Sequence, residues 1–209
     1  MPVSATHSGS ADGTQTHDDG APVATLMTMP RLILINGAPG SGKSTVATAL
    51  ARDEPLTLAL DVDAIKHALG RWDEDATRSG LHARRLSIAL AREQLISGFD
   101  VVVGQYLART GFIRELEHLA YECGARFFEY VLELDADALA DRLAARRTMP
   151  DRPEHRVNNR LVGPDDAPEL VRSLEGLRQS RPTAVWIDAR GSLDVTLGIL
   201  RTHLGSPGS

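Results

Sequence analysis

The stretch Gly37-Ala38-Pro39-Gly40-Ser41-Gly42-Lys43-Ser44-Thr45 fits the pattern G-x-x-x-x-G-K-[ST] at every fixed position. Its chemistry is that of holding phosphates. Glycines at 37, 40 and 42 allow backbone conformations closed to other residues, so successive N–H groups can turn inward on phosphate oxygens at the start of a helix. Lys43 then reaches the β and γ phosphates of a nucleotide such as ATP, and Ser44 offers a hydroxyl to Mg²⁺. Lysine is scarce here: Lys43 and Lys66 are the only two among 23 basic residues. A lysine at the motif's fixed position is therefore hard to attribute to chance.

A second group with chemical potential is Asp61-Val62-Asp63, which follows a short apolar run and opens a helical pattern. Two carboxylates there can hold water on a metal and position or deprotonate an acceptor hydroxyl. The bland alternative is that Asp63 caps its helix. Further along, Arg142 and Arg146 lie four apart on one helical face. Arg147, Arg152, Arg156 and Arg160 follow through a stretch broken by Pro150, Pro153, Gly163 and Pro164. Such charges suit a transferring phosphoryl group, or simply a solvated basic loop. His67, Arg71, Trp72, Gln105, Tyr106 and Arg109 are candidates for an acceptor pocket. Gln105 cannot act as a base but can orient a hydroxyl, and Trp72 could stack on a ring.

These residues need a scaffold, and the chain alternates short apolar runs with helical patterns. Strands are predicted at 31–36, 57–61, 100–104, 127–133 and 184–188. Between them, Leu81, Ile88 and Leu95 recur every seven residues in a predicted helix at about 74–97. Phe112, Leu116, Leu119 and Ala120 mark another, with Thr110 as its N-cap and Gly124 as its stop. Leu139 and Leu143 mark a third, capped by Asp135. Strands separated by helices predict a parallel sheet covered on both faces, an α/β architecture. In such sheets the residues just past the strand C-terminal ends face the ligand crevice, which would bring Asp61 and Asp63 to the phosphate loop.

Composition sets outer bounds. With 209 residues and 42% hydrophobic content, one domain with a real core is expected. A net charge of -5 provides no global basic field for nucleic acid or an anionic membrane. No apolar run approaches the roughly 18 residues of a membrane span, and no secretory leader pattern opens the chain, so a soluble, cytoplasmic protein is expected. Cys123 is the only cysteine, which excludes an intrachain disulfide and argues against a cysteine-based zinc site. Residues 1–29 and 205–209 read as disordered tails flanking a domain at 30–204 with a lid at about 146–165. Met27 and Met29, directly before the first strand, are alternative starts.

The order strand, GAPGSGKST, helix, strand, DVD resembles the small P-loop kinases within the AAA-like P-loop NTPase superfamily, over residues 31 to about 203. That group includes shikimate, gluconate and adenylate kinases, chloramphenicol phosphotransferase and zeta-type toxin kinases. The resemblance implies a three-layer αβα fold with a five-stranded parallel sheet in order 2-3-1-4-5. It also implies Mg²⁺ and ATP as cofactors and a hydroxyl-bearing small molecule as acceptor. In shikimate-type kinases the first acid of a comparable D-x-D works through a metal-bound water and the second holds the substrate hydroxyl, which implies those roles for Asp61 and Asp63. The lid of these enzymes falls where the arginine-rich segment lies, implying phosphoryl contacts from Arg142 and Arg146. One departure is that VVVG runs into Gln105 where many P-loop ATPases carry an acid, which argues against a dedicated hydrolase. The rival readings are a nucleotide-dependent regulatory ATPase acting through a protein partner and a polynucleotide 5'-hydroxyl kinase. The acidic balance and the lack of aromatics among the basic residues weigh against the latter.

Overall fold

A computed structural model describes residues 29–148 and 162–205. The predicted tails at 1–29 and 205–209, apart from Met29 and Gly205, and most of the predicted lid with Arg152, Arg156 and Arg160, lie outside the described residues. The elements run β1 (Arg31–Gly37), α1 (Lys43–Ala51), β2 (Leu58–Leu60), α2 (Val62–His67), α3 (Ala76–Ile96), β3 (Val101–Gln105), α4 (Thr110–Glu122), β4 (Arg126–Glu133) and α5 (Ala136–Thr148). After a 3₁₀ turn at Pro164–Asp166 come α6 (Ala167–Glu175), α7 (Leu177–Ser180), β5 (Val185–Asp188) and α8 (Leu193–Gly205).

The five strands form one parallel sheet in the order β2-β3-β1-β4-β5. Leu32, Leu34 and Ile35 of β1 and Val101 and Val103 of β3 are completely buried. Both faces of these central strands are covered, which is why their sequences are continuous apolar runs and do not alternate. Helices α1 and α8 pack on one another, as do α3 and α4, giving three layers. Gly104 sets the spacing between sheet and helix. A Cβ there would lie 3.1 Å from the Ala47 Cβ and 3.3 Å from the Lys43 carbonyl oxygen, so only glycine lets β3 pass this close to the start of α1.

All five predicted strands and the order of the sheet are present. Helix α3 differs in its buried face. Leu81 of the predicted heptad is 54% exposed, while Ser79, Ala83, Ser87, Ala91 and Leu95 form the buried stripe at spacings of four. Small side chains let α3 lie close to its neighbours, and Ser87 satisfies its hydroxyl on the Ala83 carbonyl at 2.8 Å. A search for large apolar residues overlooks a stripe of this composition. In α4, Arg109 is the N-cap and Thr110 the first helical residue; Gly124 ends the helix in the left-handed region at φ 63°. Asp135 accepts from the Ala138 N–H at 2.8 Å, the predicted cap of α5.

Candidate active site

The loop between β1 and α1 is shaped by its glycines. Gly40 and Gly42 adopt φ of 91° and 93°, and a Cβ at Gly40 would press on the Leu143 side chain at 3.1 Å. Gly37 leaves room for Ser41, whose Oγ would sit 2.5 Å from a Cβ at position 37. Gly42 is the N-cap of α1 and supplies no side-chain cap. Among the described residues, no acceptor takes the N–H groups of Gly42, Lys43, Ser44 or Thr45. The result is a cluster of open donors on the positive end of a helix, the arrangement that holds an anion. The Ser41 Oγ is also buried without a partner in this loop.

Lys43 opens α1 and is half-buried. Burial pushes its ammonium below the ordinary lysine range, Asp63 and then Asp61 oppose that shift, and Arg146 adds to it. One ammonium thus feels both carboxylates and the arginine, which brings four of the predicted catalytic residues into one electrostatic neighbourhood. A phosphate chain arriving there would supply the negative charge that a half-buried ammonium lacks.

The two aspartates divide their work differently from the bland expectation. Asp61, not Asp63, is the N-cap of α2: its Oδ1 accepts from the N–H groups of Asp63 at 2.9 Å and Ala64 at 3.2 Å. The cap fixes Asp61 at the C-terminal end of β2 and leaves its second oxygen available. Asp63 stands in the first turn of α2, where capping does not engage its carboxylate.

Arg142 and Arg146 also separate. Arg142 donates from Nη1 to the Ser41 carbonyl at 3.0 Å and from Nη2 to the Ala189 carbonyl, tying the phosphate loop to α5 and to the loop after β5. Its guanidinium braces the loop. Arg146, one turn on, is the member of the pair whose charge reaches Lys43.

The predicted acceptor residues are less uniform. His67 packs against Trp72 with ring centroids 4.5 Å apart, and the Lys66 ammonium lies 4.9 Å from the Trp72 ring centroid, so Trp72 holds its own neighbours on α2. Arg71 is exposed, takes φ 56° and pairs with Glu74 at 2.5 Å. The Tyr106 hydroxyl is 2.8 Å from the Ser173 Oγ on α6. Gln105 and Arg109 remain: Arg109 is exposed and in no ion pair among the described residues, and the Gln105 Oε1 is buried without a hydrogen-bond partner.

Sequence reasoning missed Asn36. Completely buried at the end of β1, it accepts from the N–H groups of Gly37 at 2.8 Å and Leu107 at 2.9 Å, and donates to the Leu107 carbonyl at 2.9 Å. It clamps the entrance of the phosphate loop to the loop after β3. An amide in an otherwise apolar parallel strand, directly before the first glycine of the motif, was the available signal.

A family model described as an AAA domain matches residues 32–161, more than half of the chain. The chain belongs to this family. A search of curated protein sequences gave no significant match. Among solved structures, the gluconokinase of Sinorhizobium meliloti is 21% identical with a TM-score of 0.53, covering 84% of this chain and 96% of that one. The tunicamycin resistance protein of Deinococcus radiodurans is 16% identical with a TM-score of 0.58, over 85% and 97%. The APS kinase of Mycobacterium tuberculosis is 18% identical with a TM-score of 0.52, over 85% and 99%. At these identities the shared property is the fold, a P-loop NTPase fold running nearly the whole length of each neighbour.

The residues of this AAA domain fit a nucleotide triphosphate and its metal. The open N–H cluster and Lys43 suit the phosphates, while the Ser44 hydroxyl and the second oxygen of Asp61 are the oxygen donors magnesium takes. Among the described residues no cluster of three His, Cys, Asp or Glu side chains could hold a metal unaided. No helix of the described residues is long and apolar enough to cross a membrane.

Proposed function

We propose that this AAA domain is an ATP-dependent phosphotransferase that moves the γ-phosphoryl group of Mg-ATP to a hydroxyl of a small molecule. The observation that carries the reading is the grouping of Asp63, Asp61 and Arg146 around the half-buried ammonium of Lys43. Phosphoryl transfer is mainly positioning plus charge stabilisation, and this grouping supplies both. The gluconokinase and APS kinase among its structural neighbours support the same class.

The backbone donors of 42–45 hold the phosphate chain, and Lys43 and Arg146 stabilise charge on the transferring group. Ser44 and Asp61 would hold magnesium, which when bound would supply positive charge against the phosphates. Asp63 accepts the acceptor's hydroxyl proton as its oxygen bonds to the γ-phosphorus. The bond from that phosphorus to the bridging oxygen breaks, and ADP leaves with the electron pair.

The direct test incubates the protein and Mg-ATP with a panel of hydroxylated metabolites and antibiotics and follows products by mass spectrometry. The expected result is one compound gaining one phosphoryl group in step with ADP formation. ATP turnover that yields only inorganic phosphate across the panel, and rises only when a protein partner is added, would favour a regulatory ATPase.

A further inference from the structure

Two carboxamides sit side by side at the C-terminal ends of β1 and β3, paired in register as Asn36 and Gln105, and they are treated in opposite ways. Asn36 has partners for both ends of its amide. Gln105 has a buried Oε1 with none among the described residues. A carbonyl oxygen withdrawn from water without a donor is costly, and native interiors leave few of them. Gln105 is therefore poised for a donor that arrives from outside the chain.

Its position says where that donor comes from. Leu60 pairs with Val103, so the chain leaving β2 through Asp61 runs beside Gly104 and Gln105, and the other side of Gln105 faces the end of β1 that enters the phosphate loop. Gln105 thus ends the strand that lies between the one leading into the D-x-D acids and the one leading into the phosphate loop. If Asp63 receives the proton of the reacting hydroxyl, that hydroxyl has no second proton to give. A neutral amide oxygen also cannot serve as the base itself.

We infer that Gln105 accepts a hydrogen bond from a second donor on the acceptor, so that the substrate is a vicinal diol or amino alcohol whose neighbouring hydroxyl or amine docks on Gln105 while the reacting hydroxyl meets Asp63. This deepens the phosphotransferase reading and rests on it. Gln105 is then a positioning residue that selects for the second donor. A site built to pair such a group rejects analogues lacking it, because the amide oxygen stays unpaired.

The test compares wild type with Gln105→Met, a replacement of similar volume without the carbonyl. The measurements are melting temperature without ligand, Mg-ATP affinity by calorimetry and ATP turnover with product mass spectrometry. Turnover is read with water alone and with glycerol, ethanolamine or 1-propanol. The expected result is a melting temperature equal to or above wild type, ATP affinity within twofold, and turnover with glycerol or ethanolamine reduced about tenfold or more. Wild type should also turn over with glycerol or ethanolamine in preference to 1-propanol, a preference that Gln105→Met loses. A clear drop in melting temperature would show that the amide has a structural partner, and unchanged turnover with the diol would show that it positions nothing; either overturns the inference. Failure of wild type to bind Mg-ATP would instead overturn the phosphotransferase reading beneath it.

Discussion

The phosphate end and the acceptor end of this cleft are built from different materials. Around 42–45 the groups left open are backbone N–H, held by two glycines with positive φ and braced by Asn36 and Arg142. Toward the ends of β2 and β3, His67, Arg71 and Tyr106 are engaged with Trp72, Glu74 and Ser173, and among the described residues the open groups are the side chains of Asp63, Gln105 and Arg109. In the proposed reaction the first region would recognise charge and need little beyond conformation. The second would recognise a particular molecule through a few side chains contributed by separate elements. Substitutions should therefore damage the two ends in different ways.

The largest effect expected is at Lys43. Lys43→Ala should reduce phosphoryl transfer by roughly 10³- to 10⁵-fold, the range for losing a cation that stabilises charge on the transferring group. Melting temperature should hold or rise, because the ammonium's burial opposes its charge in the free protein. Steady-state kinetics and a thermal scan on one preparation check both. Arginine at this position should not rescue, since its wide fork does not fit where a compact ammonium does.

Asp63→Asn should act on the other end. Loss of the base should lower transfer by roughly 10²- to 10⁴-fold while leaving ATP affinity within about twofold. Asp61→Asn keeps the cap on α2, because asparagine accepts from the same N–H groups, so its effect isolates the free oxygen. If ATP affinity falls in Asp61→Asn and not in Asp63→Asn, the division between metal support and base is as described. The reverse pattern would exchange their roles.

The contrast between the two ends also explains what could be read from the sequence. The phosphate loop is written in glycines and one lysine at fixed spacing, because backbone recognition requires particular residue types at particular positions. The strands were legible because burial on both faces demands unbroken apolar runs. Helix α3 was legible in extent but not in orientation, since its buried face is serine and alanine. Arg142 and Arg146 look equivalent on a helical face; the carbonyls of Ser41 and Ala189, distant in sequence, draw only Arg142 into the scaffold. Asp61 and Asp63 were legible as a pair, yet which one caps depended on where α2 begins. The commitments of His67, Arg71 and Tyr106 depend on tertiary contacts that spacing does not encode.

Asn36→Ala tests whether the phosphate end is stiff because it is clamped. Three backbone groups, the N–H of Gly37 and the N–H and carbonyl of Leu107, would be left without their partner. At about 1 to 3 kcal/mol for each buried unsatisfied group, offset by partial relaxation, a loss of about 2 to 4 kcal/mol is expected in chemical denaturation. Arg142→Ala should be milder, about 1 to 3 kcal/mol, with weaker ATP binding because the loop loses its brace to α5. Arg146→Ala should do the opposite, slowing transfer with little change in stability. Similar profiles for the two arginines would erase the distinction drawn between them.

The smallest effect concerns protons. In the free protein the Lys43 ammonium lies below its usual range because of burial, with Asp63 and Asp61 pulling it back and Arg146 pushing it further down. Phosphates bring negative charge against it, so the same group must rise when nucleotide binds. Below the free-state value Lys43 is protonated in both free and bound protein, and it gives the affinity no pH dependence. Between the free and bound values each binding event takes up a proton, and affinity falls as pH rises, at most tenfold per pH unit. Calorimetry across a pH series, in two buffers with different ionisation heats at each pH, should report a proton uptake for wild type that Lys43→Met lacks. Equal uptake in both proteins would place the titrating group elsewhere, and the half-buried lysine would then lie outside the nucleotide's electrostatic reach.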